Sequence, residues 1–414
     1  MEETKKKSVI SQVMIGVLAL WFAAACSIQK LLDPVLGIEI NEKIWLLGLE
    51  LILLVLMLCN RPLMKLWKQV KWLWVISGLV CILLLGSIYR SMIVGGMPLR
   101  MTIFYCAPYI YMFLALPVAL LLIHGDLKLN TMLWWMILCS AITYGVRIYI
   151  SWNYGKTGIV AFHSIAVEGA AEGWIRNNTL RVNPSVFAGI IVPVAAYLCL
   201  EAKQWWKRLA YLAVLILSIY FTFRIQLGRS SMIYQVSVLV VLYFTRRKAT
   251  WKEWLILAVV VVGLFMTPKF QHFLYTLSPE YVGEGGTTGV RINAIRYFGN
   301  EFLKQPLFGI GYLDGWAATA EGGGHITDIG ILQTIYTVGI PGIIYMAVVL
   351  VRNIEISIRC MKKQPYTNLT MLVVGMAACF WMFNINMDSF GSFLAEVTPV
   401  YLAVMEYAGR KVQR

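Results

Sequence analysis

The sequence has few charged residues for its length. Asp, Glu, Lys and Arg make up 14% of the 414 residues, against about 25% in soluble proteins. Apolar residues make up 59%, and the mean hydropathy is +0.70. Because so few charges cannot cover the surface of a soluble chain of this size, the composition excludes a soluble globular protein and indicates a membrane protein.

The sequence also lacks clustered cysteines. Its eight cysteines lie singly, mostly within apolar runs, and no Cys-x-x-Cys or Cys/His cluster occurs. This spacing supports neither a zinc site nor a disulfide framework. Asp314, Glu321 and Asp328 are scattered over a glycine-rich stretch and make a poor set of metal ligands. No glycine-rich nucleotide-binding loop is present either, so we expect no metal and no other cofactor.

The net charge is +15, from 36 basic and 21 acidic residues. A charge of this sign could indicate a nucleic-acid partner. In a membrane protein, cytoplasmic loops rich in Lys and Arg explain it more simply, so we expect no nucleic acid.

Long apolar runs fill most of the chain. About 20 apolar residues cross a bilayer as a helix, and the runs are continuous rather than alternating, which excludes a transmembrane barrel. The sequence therefore predicts an all-α, polytopic membrane protein, a single domain over 1–414 with about twelve transmembrane helices. The predicted spans are 8–26, 44–60, 70–88, 103–123, 131–150, 180–200, 207–223, 231–245, 253–268, 328–351, 368–388 and 392–408.

The basic residues predict the orientation of these spans. With the amino terminus inside, 22 of the 36 basic residues fall in short cytoplasmic segments, and each inside loop carries at least one. This distribution follows the positive-inside rule. We therefore expect both termini to be cytoplasmic.

The longest stretch outside the predicted spans runs over 269–327, between the ninth and tenth helices. Structureless loops of this length are uncommon and usually functional. Apolar residues recur in it at helical spacing, with Arg291 and Arg296 between them, which predicts an amphipathic helix on the outer membrane interface. We expect an extracytoplasmic catalytic loop; a surface helix with a flexible hairpin is the alternative. The apolar positions are Ile292, Ile295, Phe298 and Phe302.

A candidate anion site lies at the outer start of the eighth helix. Arg229 is followed by Ser230 and Ser231, two hydroxyl residues that can cap a helix. The free N–H groups and positive dipole of a helix start, together with a guanidinium, favour phosphate. An interfacial arginine reaching for water is the alternative. Arg181 stands at the outer start of the sixth helix, where an ordinary loop-to-helix junction is the alternative.

Four outward-facing basic residues therefore accompany one histidine, His325, at the head of the tenth helix. External loops normally avoid such positive charge, so the pattern predicts an anionic ligand, and lipid phosphates are the nearest anions. An imidazole beside a phosphate site can act as a general base. The four basic residues are Arg181, Arg229, Arg291 and Arg296.

Four motifs follow one another between about 180 and 342. They are Arg181-Val182-Asn183-Pro184-Ser185, Gly228-Arg229-Ser230, Arg291 with Gln305-Pro306-Leu307-Phe308-Gly309-Ile310-Gly311, and His325 followed by the segment 332–342. In order and in shared placement on one membrane face, they resemble the O-antigen ligase and O-antigen polymerase superfamily of bacterial envelope glycosyltransferases. The expected topology extends this resemblance to the whole chain.

The resemblance implies a GT-C type enzyme of the bacterial cytoplasmic membrane. Its donor would be an undecaprenyl-diphosphate-linked oligosaccharide, used on the extracytoplasmic face without nucleotide sugar or metal. By the family pattern, Arg229 and Arg291 would bind the diphosphate, and His325 would act on the acceptor hydroxyl. We further expect the protein to contact membrane lipid. The residues expected to bind substrate are Arg181, Arg296, Ser230 and Trp316.

The expected reaction is an inverting glycosyl transfer to an acceptor glycan or glycolipid, most simply the polymerisation of polysaccharide repeat units. Three alternatives stay open. The chain could be a ligase that moves the glycan to a different acceptor, or a flippase for lipid-linked oligosaccharides. It could also be a peptidoglycan glycosyltransferase using an acidic residue of the outer loop, for which Asp314 is the candidate.

Overall fold

In the part of the chain that the computed structural model describes, almost all regular structure is helical. The one pair of strands there is antiparallel, Ile175–Arg176 with Thr179–Leu180. This confirms the predicted all-α class. The described residues are 8–31, 41–162, 175–176, 179–248, 250–275, 278, 280, 287–312, 320, 324–385, 387–391 and 395–413.

Sixteen helices of seven residues or more lie in these ranges, and they follow the apolar runs of the sequence. They are α1 (Val9–Ala25), α2 (Glu42–Cys59), α3 (Lys71–Ile88), α4 (Leu99–Ile110), α5 (Ala115–His124), α6 (Leu129–Thr157), α7 (Ile191–Glu201), α8 (Trp205–Phe221), α9 (Arg229–Arg246), α10 (Trp251–Met266), α11 (Pro268–Tyr275), α12 (Thr287–Lys304), α13 (Leu332–Val338), α14 (Ile340–Lys363), α15 (Asn368–Asn384) and α16 (Val397–Lys411). Short helical turns join them at Ile28–Leu31, Arg61–Met64, Trp67–Val70, Tyr89–Val94, Tyr111–Leu114, Val186–Gly189, Thr222–Gln226 and Ile326–Asp328.

Among the described residues, five helical segments are long and apolar enough to cross a membrane. They are Trp67–Val94, Leu99–His124, Leu129–Thr157, Trp205–Gln226 and Ile340–Lys363. Three further apolar helices, α1, α7 and α15, are shorter. These lengths agree with an integral membrane protein, whereas the count of twelve spans and their orientation stay predictions.

The core and the surface of the bundle are both apolar. Helix α15 packs on α7 and α9, and α16 packs on α5. In the core, the rings of Phe380 and Tyr401 stack with centroids 4.1 Å apart. On the outside, large apolar side chains such as Leu51, Ile216 and Val259 are exposed. An apolar surface of this kind suits contact with lipid chains rather than water.

Two predicted spans were wrong in their bounds. The run 328–351 is not one helix, because Gly339 breaks it with a φ of 79° and separates α13 from α14. The run 180–200 forms a helix only from Ile191, after the turn Val186–Gly189. There, hydrogen bonds from Arg147 hold the preceding backbone in an irregular conformation.

Candidate functional site

The beginning of α9 is an open helix end. The left-handed Leu227, with a φ of 50°, ends the turn Thr222–Gln226, and Gly228 is the N-cap residue without a side-chain cap. The first bond of the helix runs from the amide of Met232 to the carbonyl of Gly228. The amides of residues 229–231 therefore belong to the helix end that can donate to an anion.

The expected hydroxyl cap at this helix start was wrong in detail. Gly228 is the N-cap, and both serines lie in the first turn of α9. The Ser231 hydroxyl accepts a hydrogen bond from Gln226 Nε2 at 3.3 Å. The Ser230 side chain lies near the phenol of Tyr234, one turn further on in α9.

Arg181 lies beside this helix start. Its Nε donates to the carbonyl oxygen of Gln226 at 2.9 Å. Asn183 and Pro184 belong to the same motif as Arg181. Their carbonyl oxygens accept hydrogen bonds from Nη1 of Arg147 in α6, at 2.8 and 2.5 Å respectively. Arg181 therefore ties its segment to the backbone just before Arg229, and its expected contact with substrate stays a prediction.

The amphipathic helix of the long loop is α12. Ala294 and Phe298, one turn apart, are buried and form a small apolar cluster with Ile329. Ile295 packs on the same cluster, as the predicted apolar face requires. The helix thus packs its apolar face on the turn Ile326–Asp328 and on α13, in addition to any contact with the membrane interface.

Gly324 brings the chain before His325 against α12. Its φ is 102°, and a Cβ at this position would lie 2.5 Å from the carbonyl oxygen of Val290 and 3.1 Å from Cβ of Ala294. His325 is exposed and precedes the turn Ile326–Asp328. Because Val290 is adjacent to Arg291, the backbones of His325 and Arg291 are neighbours.

Arg291 in turn lies close to α9. Its side chain is half-buried, and its charge acts on the phenol of Tyr234, which lies near Ser230. Ser230 directly follows Arg229 in the chain. The structure therefore brings the segments of Arg291 and His325 into contact and places the charge of Arg291 within reach of α9, the helix that begins at Arg229. We call Arg229, Arg291 and His325 the candidate site.

Other predicted site residues do not join this group. Arg296 is exposed, and five residues beyond Arg291 it lies about 140° around the helix, on another face. Trp316 lies outside the described residues, as do Asp314 and Glu321. In the described part of the chain, no three His, Cys, Asp or Glu side chains lie close enough to hold a metal ion.

A backbone clasp anchors the far end of α12. The amides of Ile310 and Gly311 donate to the carbonyls of Tyr336 and Thr337 at 2.9 and 3.0 Å. In return, the amide of Ile340 donates to the carbonyl of Pro306 at 2.9 Å. Two motifs that are distant in the sequence, 305–311 and 332–342, thus form one structural unit, which we call the clasp.

Glycine is required in the clasp because the two backbones touch. Gly309 has a φ of 66°, and a Cβ on it would lie 2.4 Å from the carbonyl oxygen of Tyr336. Gly339, with a φ of 79°, would place a Cβ 2.5 Å from the amide nitrogen of Gly309. Any larger residue at either position would separate the two segments.

Asp388, a buried carboxylate that supports α13, was not among the residues expected from the sequence. One oxygen accepts from the Thr334 hydroxyl at 2.5 Å, and the other accepts from the amide of Phe390 at 2.8 Å. The Thr334 hydroxyl also lies 3.4 Å from that of Tyr109. A carboxylate at the end of predicted span eleven was a signal that could have identified it, since such groups are costly in apolar segments.

Arg147 was also not expected from the sequence. It is a buried basic residue within predicted span five, and a charge inside an apolar segment is the signal that could have identified it.

No protein-family model matches the chain, and no curated protein matches it.

Proposed function

We propose that this protein is a membrane glycosyltransferase that transfers glycan from an undecaprenyl-diphosphate-linked donor to an acceptor sugar hydroxyl, polymerising polysaccharide repeat units. The supporting observation is the approach of three distant segments at the candidate site. The charge of Arg291 acts on the phenol of Tyr234 in α9, and Gly324, the residue before His325, packs on Val290, the residue before Arg291. In this proposal the protein resides in the bacterial cytoplasmic membrane with both termini cytoplasmic and the site on the extracytoplasmic face.

The start of α9 suits a diphosphate. The amides of residues 229–231, the positive end of the helix dipole and the charge of Arg291 would all act on one anion. A guanidinium can bond two phosphate oxygens at once, which fixes the orientation of the group as well as its position. Because Arg291 is half-buried, its charge is screened less than that of an exposed arginine.

His325 is placed to act on the acceptor. It is exposed and borders the turn of α12 that carries Arg291. In the proposed step, the imidazole takes the proton of the acceptor hydroxyl as its oxygen forms a bond to the anomeric carbon. The bond from that carbon to the diphosphate oxygen breaks, and its electron pair leaves with the diphosphate.

The arginines would stabilise the charge that develops on the leaving diphosphate. Attack from the side opposite the leaving group inverts the anomeric centre. No step requires a metal or a nucleotide, because the donor already carries its leaving group.

The reaction can be tested with the purified full-length protein in lipid nanodiscs and a lipid-linked repeat unit. A ladder of products of increasing length supports polymerisation. A single transfer to a different acceptor would indicate a ligase instead. Movement of the lipid-linked unit across a vesicle membrane without any new glycosidic bond would indicate a flippase and would refute glycosyl transfer.

A further inference from the structure

A second charged feature lies at the end of α14 remote from the candidate site. A cavity of about 360 Å³ opens between the segment before α3, α14 and the end of α16. Arg352 and Arg359 lie twelve and nineteen residues beyond Ile340, about 18 and 28 Å along the helix. We call this cavity the basic cleft; its charged lining residues are Lys68, Lys71, Arg352, Glu355, Arg359 and Arg410.

An ion-pair network around the buried Arg352 lies in the basic cleft. Its Nε and Nη2 donate to the two carboxylate oxygens of Glu406 at 2.6 and 2.8 Å. Its Nη1 donates to one oxygen of Glu355 at 2.7 Å, and Arg359 takes the other oxygen of Glu355. All four carboxylate oxygens are therefore already occupied by two arginines.

The remaining cations of the basic cleft are not neutralised. Within the described residues, neither Lys68 nor Lys71 forms an ion pair with a carboxylate, and Lys71 acts on Glu355 only through its charge. Arg410 donates to the carbonyl of Gln69 at 2.6 Å and to the side chain of Gln413 at 3.0 Å, which are both neutral acceptors. Five cations thus face two carboxylates.

One buried donor in this cleft also lacks an acceptor. Nη1 of Arg359 is shielded from solvent and has no hydrogen-bond partner among the described residues. A buried guanidinium nitrogen without an acceptor is costly, and a small movement of the Arg359 side chain toward an anion in the cleft would remove that cost. Together with the surplus of cations in the lining, this favours a ligand with negatively charged oxygen atoms over a neutral one.

We propose that the basic cleft binds the phosphate headgroup of an anionic phospholipid at the membrane surface. The cleft lies at the ends of apolar helices, where headgroups are found, and basic pockets in such places bind acidic lipids. Trp67, next to Lys68, is 48% exposed, and exposed tryptophan is typical of the membrane–water interface. Lipid phosphate is thus present at this level at high local concentration, whereas a soluble phosphate would have to compete with it.

Native mass spectrometry of the detergent-purified full-length protein tests this directly. The probes are phosphatidylglycerol and phosphatidylcholine with the same acyl chains. The double substitution Lys68→Gln and Lys71→Gln should weaken phosphatidylglycerol binding roughly 25-fold, since each basic residue contributes about fivefold near a membrane surface. The affinity for phosphatidylcholine should not change, which also shows that the variant is folded.

The matched control is Lys362→Gln with Lys363→Gln, which removes the same charge from exposed positions at the same end of α14. This control should alter phosphatidylglycerol binding by less than twofold. An equal loss in the control would mean that only the general surface charge matters, and would overturn the proposed site. Displacement of phosphatidylglycerol by millimolar inorganic phosphate or pyrophosphate would show a site for a free anion and would likewise overturn it.

Discussion

Gly324 lies so close to Val290 that a Cβ on the glycine would fall 2.5 Å from the valine carbonyl oxygen. Each is followed by a residue of the candidate site, His325 and Arg291 respectively. The backbone segments that lead into His325 and Arg291 can thus touch only because Gly324 has no side chain. This contact links the long loop's helix to the turn that leads into α13.

We therefore expect Gly324→Ala to impair turnover. Its φ of 102° and its contact with Val290 are both incompatible with a methyl group. Strain of about 1–3 kcal/mol would be relieved by moving His325 away from Arg291, and turnover should fall roughly tenfold to 100-fold. The measurement is the initial rate of glycan transfer by purified protein.

The matched control is Gly158→Ala at the end of α6. Gly158 also has a positive φ, 69°, but a Cβ there would meet no atom within 4 Å. If both variants lose the same activity, general backbone strain explains the loss, and the contact with Val290 has no special role.

The buried carboxylate Asp388 should make Thr334 important for stability. Thr334→Val keeps the shape but removes the hydroxyl that donates to Asp388 at 2.5 Å. Leaving that oxygen without its partner should cost about 1–3 kcal/mol, seen as a lower melting temperature in detergent.

Thr245→Val serves as the control, because the Thr245 hydroxyl bonds only carbonyls of its own helix. An unchanged melting temperature for Thr334→Val would mean that Asp388 does not depend on this bond.

The predicted orientation places α12 on the extracytoplasmic face of the membrane. Asn300→Cys, on the exposed face of α12, should react with a membrane-impermeant thiol reagent in intact cells. Lys362→Cys, at the far end of α14, should react only after permeabilisation. The experiment needs a background without the exposed native cysteines Cys59 and Cys81. The reverse labelling pattern would place the candidate site on the cytoplasmic face, away from its proposed donor.

Activity should persist in a chelator and without nucleoside triphosphates. The donor brings its own diphosphate leaving group, and the guanidinium groups would supply the positive charge that a metal ion supplies elsewhere. The check is the transfer rate in EDTA compared with the rate in added Mg²⁺ or Mn²⁺. Loss of activity in EDTA that a divalent ion restores would return attention to Asp314, Glu321 and Asp328 as metal ligands.

Local patterns in the sequence predicted most of the helices. A helix that lies in an apolar environment needs a continuous run of apolar residues, and a helix with one apolar face needs them at helical spacing; both patterns are visible in the sequence. The helix α12 is an example, since Ile295 and Phe298 mark its apolar face. The break at Gly339 was not predicted, because it depends on a clasp with Pro306 and Gly309, which lie about thirty residues earlier.

The candidate site, too, was predictable only where local sequence patterns determine it. Its residue types could be chosen from charge and position, but their meeting depends on contacts between distant segments. The bond from Arg181 Nε to the carbonyl of Gln226, for example, joins residues 45 positions apart. The role of Asp388 likewise depends on Thr334, 54 residues away, and no local pattern reveals such a pair.

The most direct test of the proposed function compares Arg291→Ala with His325→Ala in purified protein, measuring both donor binding and turnover with a lipid-linked repeat unit. Loss of a charged contact should weaken donor binding by about 1.5–3 kcal/mol in Arg291→Ala, whereas His325→Ala should bind the donor normally. Turnover of His325→Ala should nevertheless fall roughly 10²–10⁴-fold, as expected when a general base is removed. Near-normal turnover of His325→Ala, or normal donor binding by Arg291→Ala, would contradict the proposed roles of these residues.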